Sequence, residues 1–310
     1  MRVIANGLGI EVDDAGPRDA PAVLLVMGLG MQLVAWPEEF VALLVERGLR
    51  VIRFDNRDIG LSDGFEHVGP PNVALAALRH SLGLPVHAPY SLRDMADDAR
   101  GVLDALGIVR AHVCGASLGG MIAQHLAAAH PERVESLTLM MTTSGSRRLP
   151  GPTLRARVAL LSRSRGSTRD AWIDHSVRVF TTIGSPGFRP DPAWFRQRVA
   201  ASFDRACRPT GSPRQLLAVA ADGDRTALLA RIFAPTLVIH GMQDPLIPVA
   251  SGRDLVARIP GAVGDFVDGM GHDLPMVLLP RFADRIARNA ERARSSSDAA
   301  DDGRFAARAS

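Results

Sequence analysis

A serine bracketed by glycines, where a strand gives way to a helix, constrains this chain more than any other feature. Gly115-Ala116-Ser117-Leu118-Gly119, followed by Gly120, comes directly after the apolar run AHVC and directly before MIAQHLAAAH, which has helical spacing. A chain that turns from strand to helix so sharply brings the two elements close together. Glycines two positions on either side of the serine remove the Cβ atoms that would collide. Ser117 is then held strained at the apex of the turn, at a helix N-terminus whose N–H groups and dipole favour developing negative charge. This setting points to an activated nucleophile rather than an incidental serine in a Gly-rich turn.

The rest of the sequence supplies a sheet for such a turn. Strands are expected at Val3–Ala5 and Ile10–Val12, paired through a turn at Asn6-Gly7, and then at Ala22–Met27, Arg50–Phe54, Ala111–Cys114 and Val134–Met141. Between them lie helical patterns at Glu38–Arg47, ending at Gly48, at Leu92–Leu106, capped by Ser91 and ending at Gly107, and at Leu118–Ala129. From Thr142 to Ile232 the rhythm breaks into Arg-rich helical stretches punctuated by LPGPT, GSPGFRPDP and RPTGSP, with no convincing strand. It resumes with strands at Pro235–His240 and Ala262–Val267 and helices at Ser251–Ile259 and Pro280–Ala293. The alternation predicts an α/β fold with a mostly parallel sheet covered by helices on both faces. Residues 1–141 and 233–293 are expected to form the core, 142–232 an inserted helical cap, and 294–310 a tail without regular structure.

Ligand sites in such sheets lie at the carboxyl ends of the strands, so the partners of Ser117 are sought just after strands. A serine needs a base. Of nine histidines, His272 sits in Gly269-Met270-Gly271-His272-Asp273, the loop after the last strand. His240 ends a strand and is the second candidate, in a place that suits a packed or hydrogen-bonded strand-end residue. The base in turn needs an orienting acid. Asp244 follows the strand PTLVIH and precedes Pro245, which also suits a turn. Asp265, Asp268 and Asp273 compete with it, although Asp273 cannot easily bend back to its neighbour's ring. An oxyanion would be met by the backbone N–H of Leu118 and by that of Leu29 in Gly28-Leu29-Gly30. Gly28, Met242 and Met270 are candidate substrate contacts, and Trp172, Phe180, Trp194, Phe195 and Phe203 are candidate lining residues of the cap.

With GASLGG, Asp244-Pro245 and GMGH in place, the chain resembles the α/β-hydrolase superfamily from about Arg2 to Arg292. VMGLGMQLVAWPEEF and VIRFDNRDIGLSD are similar to the branch of aclacinomycin methylesterase and related bacterial carboxylesterases. In that branch the Asp55-Asn56-Arg57-Asp58 loop, with Gly60 and Ser62, has a mainly scaffolding role. The order Ser, Asp, His along the chain is that of the superfamily. The resemblance implies ester hydrolysis without a cofactor, through an acyl-enzyme on Ser117. One departure is Met27-Gly28 where many members carry His-Gly, which makes the entrance more apolar.

Composition narrows the alternatives. Every basic residue is arginine, so a Schiff-base or phosphate-loop lysine is excluded. A net charge of +3 and a whole-chain preference for arginine weaken the cluster Arg147, Arg148, Arg155, Arg157, Arg163, Arg165 and Arg169 as a nucleic-acid signal. GLGMQ lacks the later glycine of a dinucleotide fingerprint, and no metal-ligand spacing is present. Two distant cysteines, an N-terminus unlike a signal peptide and apolar runs too short to span a bilayer lead to the expectation of a cytoplasmic protein with a small-molecule ester substrate. Fold does not fix function. The same residues would serve a cofactor-free peroxidase-like enzyme or acyltransferase, and a receptor for a small ligand is a further alternative. The oligomeric state is left open.

Overall fold

The computed structural model describes the backbone of residues 1–308 and the side chains of residues 1–294. Eight strands form one sheet: β1 Arg2–Ala5, β2 Leu8–Ala15, β3 Ala22–Val26, β4 Arg50–Phe54, β5 Ala111–Ala116, β6 Val134–Met140, β7 Thr236–Gly241 and β8 Val263–Val267. Their order is β1-β2-β4-β3-β5-β6-β7-β8. The β1–β2 and β2–β4 pairs are antiparallel and all the others parallel. The first two strands turn at Asn6 (φ 49°) and Gly7 (φ 77°), the pair of positive φ values that a two-residue hairpin requires.

The helices are α1 Glu38–Glu46, α2 Val73–Ser81, α3 Leu92–Ala105, α4 Leu118–Ala129, α5 Leu154–Leu161, α6 Arg169–Ile183, α7 Pro192–Arg205, α8 Gly211–Asp222, α9 Thr226–Leu229, α10 Ala250–Arg258 and α11 Leu279–Arg308. Alternate residues of β3 serve two cores, as the two-residue period of a strand requires. Leu24 and Val26 pack with Met95, Ala99 and Val102 of α3 and Ile122 of α4. Val23 and Leu25 pack with Phe40 and Leu44 of α1 and Phe282 and Ile286 of α11. Helix α3 begins with a reciprocal cap: Asp94 N–H donates to Ser91 Oγ (3.1 Å) and Ser91 N–H to Asp94 Oδ2 (2.8 Å).

Three features differ from expectation. Helix α2 was not anticipated: it is short, lies beyond Pro- and Gly-rich chain, and buries only Ala76, so its apolar pattern is weak. Between β6 and β7 the described residues contain α5–α9 and no strand, yet Ala218, Leu229 and Ile232 belong to the core cluster under the sheet. The expectation of an irregular tail at 294–310 falls on the end of α11, whose backbone runs to Arg308. Side chains beyond Arg294, and residues 309–310 entirely, lie outside the described residues. No helix of the described residues is long and apolar enough to cross a membrane.

Candidate active site

Ser117 follows the central strand β5 and opens α4. Its backbone has φ 54° and ψ −116°, a conformation that costs about 1–3 kcal/mol and persists only where the surroundings over-determine it. They do so here. Ser117 N–H donates to Met140 O (2.8 Å), and Thr142 Oγ1 donates to Ser117 O (2.7 Å). A Cβ at Gly119 would collide with the Val26 carbonyl and one at Gly115 with the Gly119 carbonyl, so these two glycines are required by close approach. The strained turn aims Oγ at the loop after β8, where His272 Nε2 lies 3.0 Å away.

The opposite ring nitrogen, His272 Nδ1, is 2.7 Å from Asp244 Oδ2. The other carboxylate oxygen, Oδ1, accepts the N–H groups of Leu246 (2.9 Å) and Ile247 (2.8 Å), which locks the carboxylate plane. Asp244 therefore holds the proton on Nδ1 and leaves Nε2 free to accept from the serine hydroxyl. The competing acids are engaged elsewhere. Asp265 pairs with Arg281 (2.5 Å), Asp268 accepts from Gln243 (2.8 Å), and Asp273 accepts from Ser185 Oγ. That last pair also steadies the histidine loop, because Ser185 Oγ accepts from Gly271 N–H (2.8 Å), while His272 N–H donates to Ile183 O (2.8 Å) at the end of α6. Burial pushes the Asp273 carboxyl above its ordinary range, partly countered by Ser185.

His240, the second candidate base, is fully buried and donates from Nε2 to Ile247 O (2.7 Å), with Asp244 Oδ2 at 3.7 Å. Burial pushes its pKa down, against Ile247 O and Asp244, which raise it, and together with His272, which lowers it. His112 on β5 is lowered in the same way, by burial above all. Both rings bind protons less readily when folded than when unfolded. Their contribution to stability is thus complete above the ordinary histidine pKa of about 6.5 and is lost as pH falls below it. Urea unfolding free energy is expected to drop between pH 7 and pH 5, and His112→Gln should flatten the slope. An equally steep slope in the variant would refute this assignment.

The second candidate oxyanion donor lies in the loop after β3. Gly28 passes so close to the elbow that a Cβ there would sit 3.2 Å from Ser117 Cβ. Among the described residues, no acceptor is hydrogen-bonded to the backbone N–H of Leu29 or Leu118. The loop is held at both ends. Asn56 Nδ2 donates to Met27 O (2.9 Å), and Gly30 N–H donates to Gln215 Oε1 (2.9 Å). Gln215 in turn donates to Arg57 O (3.0 Å). Sequence reasoning missed both holders. Asn56 lay in a segment read only as scaffolding, and Gln215 carries no local signal in the middle of α8.

Two expected substrate contacts fare differently. Met270 is fully buried in the cluster with Val267, Leu279 and Phe282. Met242, just past β7, is exposed. Trp172, Phe180, Trp194, Phe195 and Phe203 are all half-buried, and Phe180 meets Phe195 edge-on at 6.4 Å. Among the described residues no cluster of three or more His, Cys, Asp or Glu side chains is arranged to hold a metal.

Comparison with known proteins places this geometry. The family model described as alpha/beta hydrolase fold matches residues 21–277. The chain belongs to the α/β-hydrolase family. Rhodomycin D methylesterase DauP of a Streptomyces species is 32% identical over 289 residues, covering 84% of this chain and 88% of the relative. A putative carbamate hydrolase, RutD of Variovorax paradoxus, is 33% identical over 263 residues, covering 83% and 86%. The meta-cleavage product hydrolase of Pseudomonas fluorescens shares the fold at TM-score 0.71 and 21% identity, covering 94% and 98%. In this α/β-hydrolase the reversed second strand, the parallel remainder and the serine turn after the central strand are thus all features of a hydrolase scaffold.

Proposed function

We propose that this α/β-hydrolase is a serine carboxylesterase. The observation that carries the reading is the chain of contacts from Ser117 Oγ through the His272 ring to Asp244. His272 Nε2 takes the hydroxyl proton as Ser117 Oγ attacks the ester carbonyl carbon. The imidazolium is stabilised by Asp244, which stays ionised. The N–H groups of Leu29 and Leu118 receive the oxyanion. Collapse of the tetrahedral adduct breaks the bond to the alkoxy oxygen, which takes the proton from Nε2 and leaves as the alcohol. Water, deprotonated by the same nitrogen, then attacks the acyl-enzyme. Its tetrahedral adduct releases the carboxylic acid and returns the proton to Ser117 Oγ.

The similarity to a methylesterase supports an ester as substrate. Half-buried Leu29 and Met31 and the aromatic residues of the β6–β7 segment support small to medium, largely apolar esters, with residues 142–232 acting as the cap over them. The free thiols of Cys114 and Cys207 fit a cytoplasmic enzyme.

A panel of p-nitrophenyl esters of increasing acyl length, run beside a fluorophosphonate label, tests the proposal. Turnover with a clear chain-length optimum is expected, together with a single label on the Ser117 peptide. A folded protein that neither turns over an ester nor takes the label would overturn it.

A further inference from the structure

Helix α5 leaves an unusual face uncovered. Its Ala156 is fully buried on the side that packs against α6, while Leu154, Val158 and Leu161, spaced i, i+4 and i+7, are 76%, 60% and 51% exposed. Around this stripe stand Arg147, Arg148, Arg155, Arg157, Arg163 and Arg165, every one of them exposed. From Thr142 to Arg169 the chain contains no Asp or Glu. Among the described residues none of these six guanidinium groups forms an ion pair or a hydrogen bond, whereas Arg169, at the end of the run, is paired with Asp204 (2.5 Å).

A second apolar strip lies on α2. Leu75, Leu78 and Leu82 of α2 and its C-terminal end, with Leu84, are each about half exposed or more. Arg147, in the arginine run that leads into α5, stands beside the end of α2: its guanidinium would lie 3.2 Å from a Cβ at Gly83. Both strips lie on the side of the sheet that carries Ser117. Helix α2 follows the loop after β4, and Thr153, the N-cap of α5, donates its N–H to Pro245 O (2.9 Å) beside Asp244.

We propose that α5, α2 and the arginines around them form a docking surface for an anionic phospholipid bilayer. Aliphatic stripes on two helices, rimmed by long cationic side chains of a single sign, match an interface where methyl groups enter the acyl boundary and guanidinium groups meet phosphate. The other occupants fit less well. A nucleic acid would use the arginines but leave the leucines in water. A second copy meeting this face about a two-fold axis would set arginine against arginine. Docked this way, the protein turns the carboxyl edge of its sheet, and with it Ser117, toward the lipid. The inference stands on the surface alone and does not depend on the esterase reading.

Sedimentation of the full chain with extruded vesicles tests it, using phosphatidylcholine alone or mixed with phosphatidylglycerol, at low and high salt. The protein is expected to partition onto the mixed vesicles, to stay in solution with phosphatidylcholine alone, and to be largely released by salt. The variant Arg155→Gln/Arg157→Gln/Arg163→Gln should bind about a hundredfold more weakly, at about fivefold per arginine. Arg110→Gln/Arg231→Gln/Arg288→Gln removes the same charge from exposed positions elsewhere and should bind as the parent does. Leu154→Ser/Val158→Ser/Leu161→Ser should lose about tenfold or more through the missing apolar contact. All these positions are exposed, and unchanged thermal melts would show that folding is intact. Four results would overturn the proposal: no partitioning onto the mixed vesicles, equal loss in both arginine variants, parent-like binding by the serine variant, or self-association in light scattering that the serine variant abolishes.

Discussion

Replacing Ser117 by alanine is expected to lower kcat for a p-nitrophenyl ester by about 10⁴–10⁶-fold while leaving the thermal melt intact or slightly raised. The size follows from how the residues act together. Without Oγ there is no atom for His272 to deprotonate and no acyl-enzyme, so the histidine and the aspartate lose their roles at the same time. What remains is binding plus the proposed donors at Leu29 and Leu118, expected still to favour attack by water. The stability expectation comes from the backbone. The position has positive φ whichever side chain it carries, and alanine removes only the 3.0 Å contact to His272. Initial rates with active-site titration would measure the change. A loss of less than tenfold, in protein free of parent enzyme, would remove Ser117 from the nucleophile role.

The second large effect concerns stability and lies in the loop after β4. Asp58 is fully buried and faces Arg214 of α8, also buried, through two contacts of 2.6 and 2.7 Å. Burial alone would raise the Asp58 carboxyl, but Arg214, the N–H of Phe65 (3.0 Å) and the hydroxyl of Tyr90 (2.9 Å) together hold it below the ordinary range. Asp58→Asn keeps the shape and tolerates the residue's φ of 73°. It leaves the buried guanidinium of Arg214 without a counter-charge, and its acceptors reduced to the Gly69 carbonyl (3.1 Å) and the one remaining amide oxygen. A loss of about 3–5 kcal/mol is expected, as for other buried pairs broken on one side. Adding Arg214→Met should recover much of it, because a buried pair replaced by apolar groups is often near neutral. Urea midpoints for the two single variants and the double variant would close the cycle. A single variant within about 1 kcal/mol of the parent, the size of an exposed pair, would show that the pair is solvated in practice.

These two sites mark the boundary of what sequence could reveal. The serine turn was legible because its signal is local: glycines, strand and helix all lie within a few residues of Ser117. His272 and Asp244 were legible because each follows a strand, and strand ends converge in a parallel sheet. The Asp58–Arg214 pair spans 156 residues and joins two residue types that ordinarily face water, so no pattern in either segment announced it. Gln215 and Asn56 escaped for the same reason.

The bonds that fasten the loop after β3 reach further than geometry. Gln32 of that loop donates to Ser202 O and Ala206 O of the segment between β6 and β7 and accepts from Arg205, which also grips Asp55 (2.7 Å). Gly30 leans on Gln215 of the same segment. On the proposed esterase reading, rate and selectivity are therefore not inherited separately in this chain. A segment transplanted from a relative would import its own preference for substrates and would have to bring equivalents of Gln215 and Arg205 with it. Divergence toward new esters must then proceed by side-chain changes that leave those residues in place, rather than by exchange of the whole segment.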